Sequence, residues 1–534
     1  MYSDRADRQY ATPTENIFER GTIYFTRKDG QLVSAAMQTA GFKVAVNNTK
    51  ISDPESVYTK LSAVIELDHD DFMSKTKKKD DPYEEVATHL SKEDADAISA
   101  LKIPGVSIFK EKWRFYPGEN MASHALGFVA YKGDDLGGRY GIERTYDTEL
   151  SRNKNNPYVN FFAEVFSNIN DALFDDGDRE GNIVTTIEPL AQSFLENKLT
   201  EVSKRYNTDS IGGIIMNPMD GSIYALSVKP DFDPNDFSKV KKASTFSNPL
   251  VENVLEFGSV IKPLVMAGAL NEGVLTPDTK YEDRGSVVVE KKEIFNFDKK
   301  ARGVVSMQEV LNQSLNTGMV FVEQKLGREN LRNYLLSYGI KDKTGIDLPN
   351  ETSGLVSGIL KSPREIEYAN AAFGQGIALT PVELVRALSA LGNGGSLVVP
   401  HLAREIKYDD GTSKKITYDT VPTKITKKTS ETITRMLVTV MDKAIKGGNG
   451  KFDHYSVAVK TGTAQVANLD AGGYYEDRHT HSFFGYFPAY DPKFIVLLYA
   501  VNPKGSDYAA TTWSDPFIDI TKFLLNYYEV PPDR

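Results

Sequence analysis

The chain of 534 residues contains no cysteine. That excludes disulfides, thiolate metal sites and a cysteine nucleophile together, and it fits a chain working outside the cytoplasm. No apolar run approaches the roughly 18 residues of a membrane span; the best are short, such as FIVLLYAV at Phe494–Val501. Positive charge is also scarce, since 63 Lys plus Arg face 73 Asp plus Glu for a formal net charge of −10. Phosphate binding needs a basic surface, so a nucleic-acid partner is disfavoured. The opening MYSDRADRQYATPTENIFER lacks the apolar stretch of a signal peptide. If the protein acts outside the membrane, its N-terminal anchor is expected to be absent from the chain as given.

What is present suits an enzyme with an accessory part. At 40% hydrophobic residues, the length allows two to four domains of roughly 150 residues each. Residues 1–180 are rich in charge and turn residues. Within them DHDDFMSKTKKKDDPYEE (Asp68–Glu85) reads as a solvated loop or insertion, because neighbouring acids cancel its lysines. The polar SRNKNNP (Ser151–Pro157) and acidic DDGDREGN (Asp175–Asn182) flank an apolar-periodic segment. The second of them marks the expected boundary between domains at 1–180 and 181–534.

Beyond it the pattern tightens. IVTTI (Ile183–Ile187) alternates as a strand, and Pro189 opens a helix running to Tyr206, with proline where no N–H is needed. IGGIIM and SIYALSV are strands joined by NPMDG (Asn217–Gly221), a hairpin signal. HSFFGYFPA (His481–Ala489) and KFIVLLYAV (Lys493–Val501) form a second hairpin, after which Ser514, Asp515 and Pro516 would cap an amphipathic helix. Strand pairs at both ends of a helix-rich middle predict an α+β domain whose sheet is assembled from distant parts of the chain.

Three short motifs carry chemistry. In EFGSVIKP (Glu256–Pro263), a helix beginning at Ser259 places Lys262 one turn away on the same face. Val260 and Ile261 would point into core, and Gly258 would leave room for a substrate backbone. Serine needs a base within reach, and a lysine serves near neutral pH only if burial or a second cation lowers its pKa. Alone, the octapeptide is an ordinary helix start. In QSLNTG (Gln313–Gly318), Ser314 offers a hydroxyl to relay protons and Asn316 an amide to hold an amide. In VAVKTGTAQV (Val457–Val466), Lys460, Thr461 and Thr463 suit a carboxylate, and Gly462 lets a backbone lie close. The order SxxK, SxN, KTG is far more specific than any one of them.

In these motifs the chain resembles the class B penicillin-binding proteins, the peptidoglycan D,D-transpeptidases of bacterial cell division and elongation. ERGTIYFTRKDGQLVS (Glu19–Ser34) and HALGFVAYKGDDLGGRYGIERTYDTEL (His124–Leu150) are similar to segments of that family's N-terminal pedestal. TTIEPLAQSFLE (Thr185–Glu196), MNPMDGSIYALSVKPDFDPN (Met216–Asn235) and FGQGIALTPVELVRALSALGNGG (Phe373–Gly395) look like its transpeptidase domain. The resemblance implies an elongated, non-catalytic pedestal followed by a penicillin-binding domain. Ser259 would be the acylated nucleophile and Lys262 its base. Ser314 would relay a proton to the leaving D-alanine, and Asn316 would hold the substrate's amide. Lys460 would lower the pKa of Lys262, Thr461 and Thr463 would bind the terminal carboxylate, and the N–H groups of Ser259 and Thr463 would form an oxyanion hole. No metal or cofactor is implied. The partners would be stem peptides ending in D-Ala-D-Ala, β-lactams as covalent inhibitors, and glycosyltransferase, divisome or elongasome membrane proteins at the outer face of the membrane.

Phe257 and Val260 depart from the family, which usually has proline and often threonine there, and Tyr24–Arg27 lacks the aspartate expected before the arginine. His479 and His481 alternate on a strand as a metal pair would, but no third ligand has matching spacing; with Ser482 they read as lining the site. A serine β-lactamase and a β-lactam sensor are the rival readings. The first lacks a pedestal and has no convincing deacylating glutamate here, and the second is at odds with a complete catalytic set.

Overall fold

The computed structural model describes residues 19–78, 81–132, 135–152, 180–468 and 472–534. Its backbone divides into two units, one drawn from residues 1–23, 34–117 and 148–182 and the other from 24–33, 118–147 and 183–534.

In the smaller unit a long strand, β1 (Leu32–Val46), pairs antiparallel with β2 (Glu84–Leu90) and β3 (Val106–Phe115). Helices α1 (Pro54–Ser62), α2 (His69–Thr76) and α3 (Lys92–Ala100) cover it through a core that includes Val44, Leu61, Phe72 and Ile98. The stretch from Asp68 is therefore not simply a solvated loop. The Asp68 carboxylate accepts the Asp71 N–H at 2.8 Å and caps α2, and Phe72 is buried beneath it. The amphipathic turn was hidden by the lysines that follow, of which residue 79, like Asp80, lies outside the described residues. So do the polar stretch from residue 153, the apolar-periodic segment after it and the acidic stretch up to residue 179.

In the larger unit the pattern is closer to expectation. After β4 (Gly181–Thr185), α4 (Pro189–Tyr206) begins at its proline with Glu188 capping the Ala191 N–H. A hairpin follows, β5 (Ser210–Met216) and β6 (Ile223–Lys229). A 3₁₀ turn at Gly258–Ile261 leads into α5 (Lys262–Asn271), which is buried almost all round. Four short strands, β7 (Lys280–Asp283), β8 (Ser286–Val289), β9 (Lys292–Phe295) and β10 (Gly303–Ser306), form two ribbons ahead of α6 (Asn316–Leu326). Later come α7 (Pro381–Gly392), α8 (Lys427–Lys443), β11 (Ala458–Ala467), β12 (Tyr474–Phe487), β13 (Phe494–Val501) and α9 (Ala509–Tyr527).

The antiparallel sheet runs β11-β12-β13-β5-β6, so its two hairpins come from opposite ends of the unit and meet where β13 pairs with β5. Alternation along β12 separates its two sides. Phe483 stacks on Phe517 of α9 at 4.5 Å, while Tyr486 meets the hydroxyl of Thr434 in α8 at 2.8 Å. The unit is α+β, with helices on both faces of the sheet.

One helix start differs from expectation. α9 begins at Ala509, and Pro516 lies inside it although an interior proline forfeits a backbone hydrogen bond. The preceding turns are tied to the sheet: Thr463 Oγ1 accepts the Ala509 N–H at 3.1 Å, and the buried Trp513 donates to the His481 carbonyl at 3.2 Å. Those anchors start the helix ahead of the capping sequence. Among the described residues no helix is long and apolar enough to cross a membrane.

Candidate active site

Backbone packing shapes the turn that carries Ser259. Gly258 has φ +63°, and a Cβ there would stand 2.7 Å from the Thr463 carbonyl oxygen. A Cβ on Gly462 would collide with the Phe257 carbonyl oxygen, and one on Gly374, at φ +86°, with that of Gly258. Three glycines from distant segments thus let three backbones meet at the serine. The space at Gly258, expected to admit a substrate backbone, is filled by the chain itself, and the backbone that lies close at Gly462 is that of Phe257. Ser482 Oγ completes the joint, 2.8 Å from the Phe257 carbonyl oxygen and 3.3 Å from that of Gly462.

Ser259 is half-buried at the end of this joint, while Val260 and Ile261 point into core as expected. The helix proper starts at Lys262, one 3₁₀ turn later than expected, with Pro263 in its first turn. The Phe257 ring, at the position where the resemblance leads to an expected proline, is buried with its edge to Tyr499 at 6.2 Å between centroids.

Lys262 and Lys460 are both buried. Lys262 Nζ donates to the Ser314 carbonyl at 2.7 Å and to Asn316 Oδ1 at 2.8 Å, and stands 3.3 Å from Ser314 Oγ. Lys460 Nζ lies 2.9 Å from the same Ser314 Oγ and 3.0 Å from the Thr461 carbonyl oxygen. The two amines therefore share one hydroxyl. Burial first, and then the charge of Lys460, hold Lys262 well below the ordinary lysine range. Burial brings Lys460 down to about 7. A neutral amine has two N–H donors and one lone pair; the short bonds to Ser314 and Asn316 occupy the donors and leave the lone pair to accept a proton.

Ser314 adopts φ +54°, a left-handed backbone that is uncommon outside glycine and turns its hydroxyl between the lysines. Asn316 opens α6; its Oδ1 is taken by Lys262 and its Nδ2 donates to the Phe295 carbonyl at 2.9 Å, leaving one amide hydrogen over. The Thr463 hydroxyl accepts from Ala509, and among the described residues its own hydrogen is not taken by another acceptor. Thr461 is half-buried beside it.

The structure thus gathers Ser259, Lys262, Ser314, Asn316 and Lys460, with Thr461, Gly462 and Thr463 along β11. Among the described residues the hydrogen bonds of Lys262 go to Ser314 and Asn316 rather than to Ser259. His481 does not join the cluster. It is buried with Nδ1 2.9 Å from Thr512 Oγ1 in α9, and lack of hydration brings its pKa down to about 4. Its neighbour Ser482, on the other side of the strand, meets the serine turn instead. Sequence reasoning assigned no role to Gly374, although it sits in the quoted FGQG, whose paired glycines are the visible sign of a tight approach.

Residues 211–519 match the penicillin binding protein transpeptidase domain, and residues 18–163 match the penicillin-binding protein dimerisation domain. Among curated relatives, stage V sporulation protein D of Bacillus subtilis is 30% identical over 94% of this chain and 77% of its own length. The peptidoglycan D,D-transpeptidase FtsI of Buchnera aphidicola is 25% identical over 84% of this chain and 76% of its own. Among solved structures, penicillin binding protein 2X from Streptococcus thermophilus superposes with a TM-score of 0.75 at 20% identity, covering 96% of this chain and 81% of that one. Penicillin binding protein 3 from Mycobacterium tuberculosis, complexed with aztreonam, gives 0.72 at 20% identity, covering 97% and 98%.

Proposed function

The chain belongs to the class B penicillin-binding proteins, and from that premise we propose that it is a serine D,D-transpeptidase that cross-links peptidoglycan stem peptides and is acylated by β-lactams. The observation that carries the mechanism is the pair of buried lysines on one serine hydroxyl. Ser259 Oγ attacks the carbonyl of the penultimate D-alanine while its proton passes to Lys262 Nζ. The oxyanion is received by the N–H groups of Ser259 and Thr463, each such donor typically worth about 3 kcal/mol. As the C–N bond breaks, the proton moves from Lys262 through Ser314 Oγ to the leaving D-alanine amine. An acceptor amine then attacks the ester, gives up a proton, and the hydroxyl of Ser259 is restored. Water in place of the amine gives a D-Ala-D-Ala carboxypeptidase side reaction.

Thr463, with Thr461, holds the donor's terminal carboxylate, and the remaining amide hydrogen of Asn316 faces the donor's backbone carbonyl. The residues before the transpeptidase domain serve as a pedestal for dimerisation or interaction. The enzyme works at the outer face of the bacterial membrane, anchored there, in cell division or in shape-determining elongation. Its partners are a glycosyltransferase and other division or elongation proteins. A β-lactam carries a strained amide into the same site and leaves an ester that no amine can reach.

Mass spectrometry after exposure to benzylpenicillin tests the reading. One penicilloyl adduct on Ser259, absent from Ser259→Ala, is expected. Labelling that survives in Ser259→Ala overturns the mechanism, and release of the adduct within seconds would mark a β-lactamase.

A further inference from the structure

Asn316 has a partner for each end of its side chain and one hydrogen left over, and the direction of that hydrogen is decided elsewhere. The amide is planar. With Oδ1 on Lys262 at 2.8 Å and one N–H on the Phe295 carbonyl at 2.9 Å, the second N–H has a single direction left. Whatever holds Phe295 and the first turn of α6 in place therefore aims it.

The residues that do so meet on one carboxylate. Asp283, the last residue of β7, is buried and accepts from Thr317 Oγ1 at 2.7 Å, from Asn296 Nδ2 at 3.0 Å, from the Arg302 N–H at 2.9 Å and from the Gly285 N–H at 3.1 Å. Asn296 follows Phe295, and Thr317 follows Asn316. The two are also joined directly, since the Thr317 N–H donates to Asn296 Oδ1 at 3.3 Å. Having given its hydrogen to Asp283, Thr317 Oγ1 accepts that of the Tyr281 hydroxyl at 3.2 Å. Both sides of the Asn316–Phe295 bond are thus fastened to one point.

A buried carboxylate is costly unless donors surround it, and such an aspartate commonly does no more than lock a turn. Gly285, Asn296 and Arg302 would serve that purpose, because all three lie in the turns that connect the short strands between α5 and α6. Thr317 does not, since it stands on the helix that carries Asn316. Arg302 extends the hold on the same side of the site, its guanidinium reaching Gln313 Oε1, next to Ser314, at 3.1 Å.

We propose that Asp283, through Thr317 and Asn296, is a positioning residue that aims the free amide hydrogen of Asn316 at the amide carbonyl of the donor. The inference rests on the transpeptidase reading above and adds residues that take no part in bond making. Orientation fixed in this way is expressed only with donors that offer the carbonyl.

The test compares two penicillins on the whole protein: benzylpenicillin, whose acyl amide offers that carbonyl, and 6-aminopenicillanic acid, which has a bare amine in its place. Thr317→Val removes the hydroxyl and should slow acylation by benzylpenicillin roughly tenfold, and acylation by 6-aminopenicillanic acid less than about twofold. Thr317→Ser, which keeps the hydroxyl, should restore the benzylpenicillin rate. In an Asn316→Ala background, Thr317→Val should change that rate less than about twofold, because the residue through which it acts is gone. Equal losses with both penicillins, the full tenfold loss persisting in the Asn316→Ala background, or no loss at all overturn the proposal. Asp283→Asn should show the same selective loss, and a folded Asp283→Asn protein that takes both penicillins at the normal rate also overturns it. Where its thermal midpoint shows that Asp283→Asn does not fold, the three Thr317 comparisons decide. If the unaltered protein forms no penicilloyl ester, the transpeptidase reading falls and takes this one with it, whereas normal labelling without selectivity removes only the positioning role.

Discussion

Lys460 and Lys262 are the same residue type with opposite tasks. On the proposed mechanism, acylation needs Lys262 neutral, to accept the proton of Ser259, and gains from a charge on Lys460, which both lowers its neighbour's pKa and would attract a carboxylate. As pH falls, Lys262 takes up a proton and acylation declines; as pH rises past about 7, Lys460 loses its charge and the gain is withdrawn. Acylation of the free enzyme by a penicillin should therefore follow a bell, with its alkaline limb near that value. Lys460→Arg keeps the charge at all pH values and should lift the alkaline limb out of the accessible range, at some cost in rate from the altered shape. Stopped-flow acylation rates between about pH 5 and pH 10 would check it; an unchanged alkaline limb would show that another group titrates. That these side chains belong together was legible only from the three triplets in order, because each triplet alone reads as an ordinary helix start, loop or strand. Their orientation was not. Nothing in SLN says that the asparagine oxygen is spent on Lys262, since that bond depends on the left-handed turn at Ser314.

Among the elements, the serine turn depends most on its neighbours. At Gly374 both the φ of +86° and the approach of the Gly258 carbonyl oppose a side chain. Gly374→Ala should displace the turn at Gly258, and a displacement of about 1 Å at a reacting group costs on the order of a hundredfold in rate. A fall of that size in penicillin acylation, alongside a thermal midpoint lowered by only a few degrees, is the expected result. A variant that acylates normally would show that the turn holds its shape alone. Element boundaries were readable where local signals rule, as at Pro189, where α4 begins. They were misread where a distant residue supplies the cap. Ser514-Asp515-Pro516 is a sound start signal, yet Thr463, remote in sequence, caps the helix at Ala509 and the local signal is overrun. At Asp68 the error ran the other way, with a good local cap discounted because of the lysines after Phe72.

At the scale of the molecule, the sheet joins β5 and β6 to β11, β12 and β13 across most of the larger unit. Its α+β class and a sheet assembled from both hairpins could be read from the two hairpin signals, but which strands meet, β13 and β5, could not, because pairing between remote strands leaves no mark in either. The same remoteness governs the three glycines. Gly258 can be seated only after the chain has delivered Gly374 and Gly462 to it. Helices form from local contacts and long-range pairings come late, so during refolding helical signal should return before the capacity to bind a fluorescent penicillin. Simultaneous recovery would mean that the serine turn is ready before its neighbours arrive. On the ribosome the order is harsher still, since Ser259 emerges long before the strand that completes its surroundings. Until β11 has been made, the growing chain carries a serine without an enzyme around it.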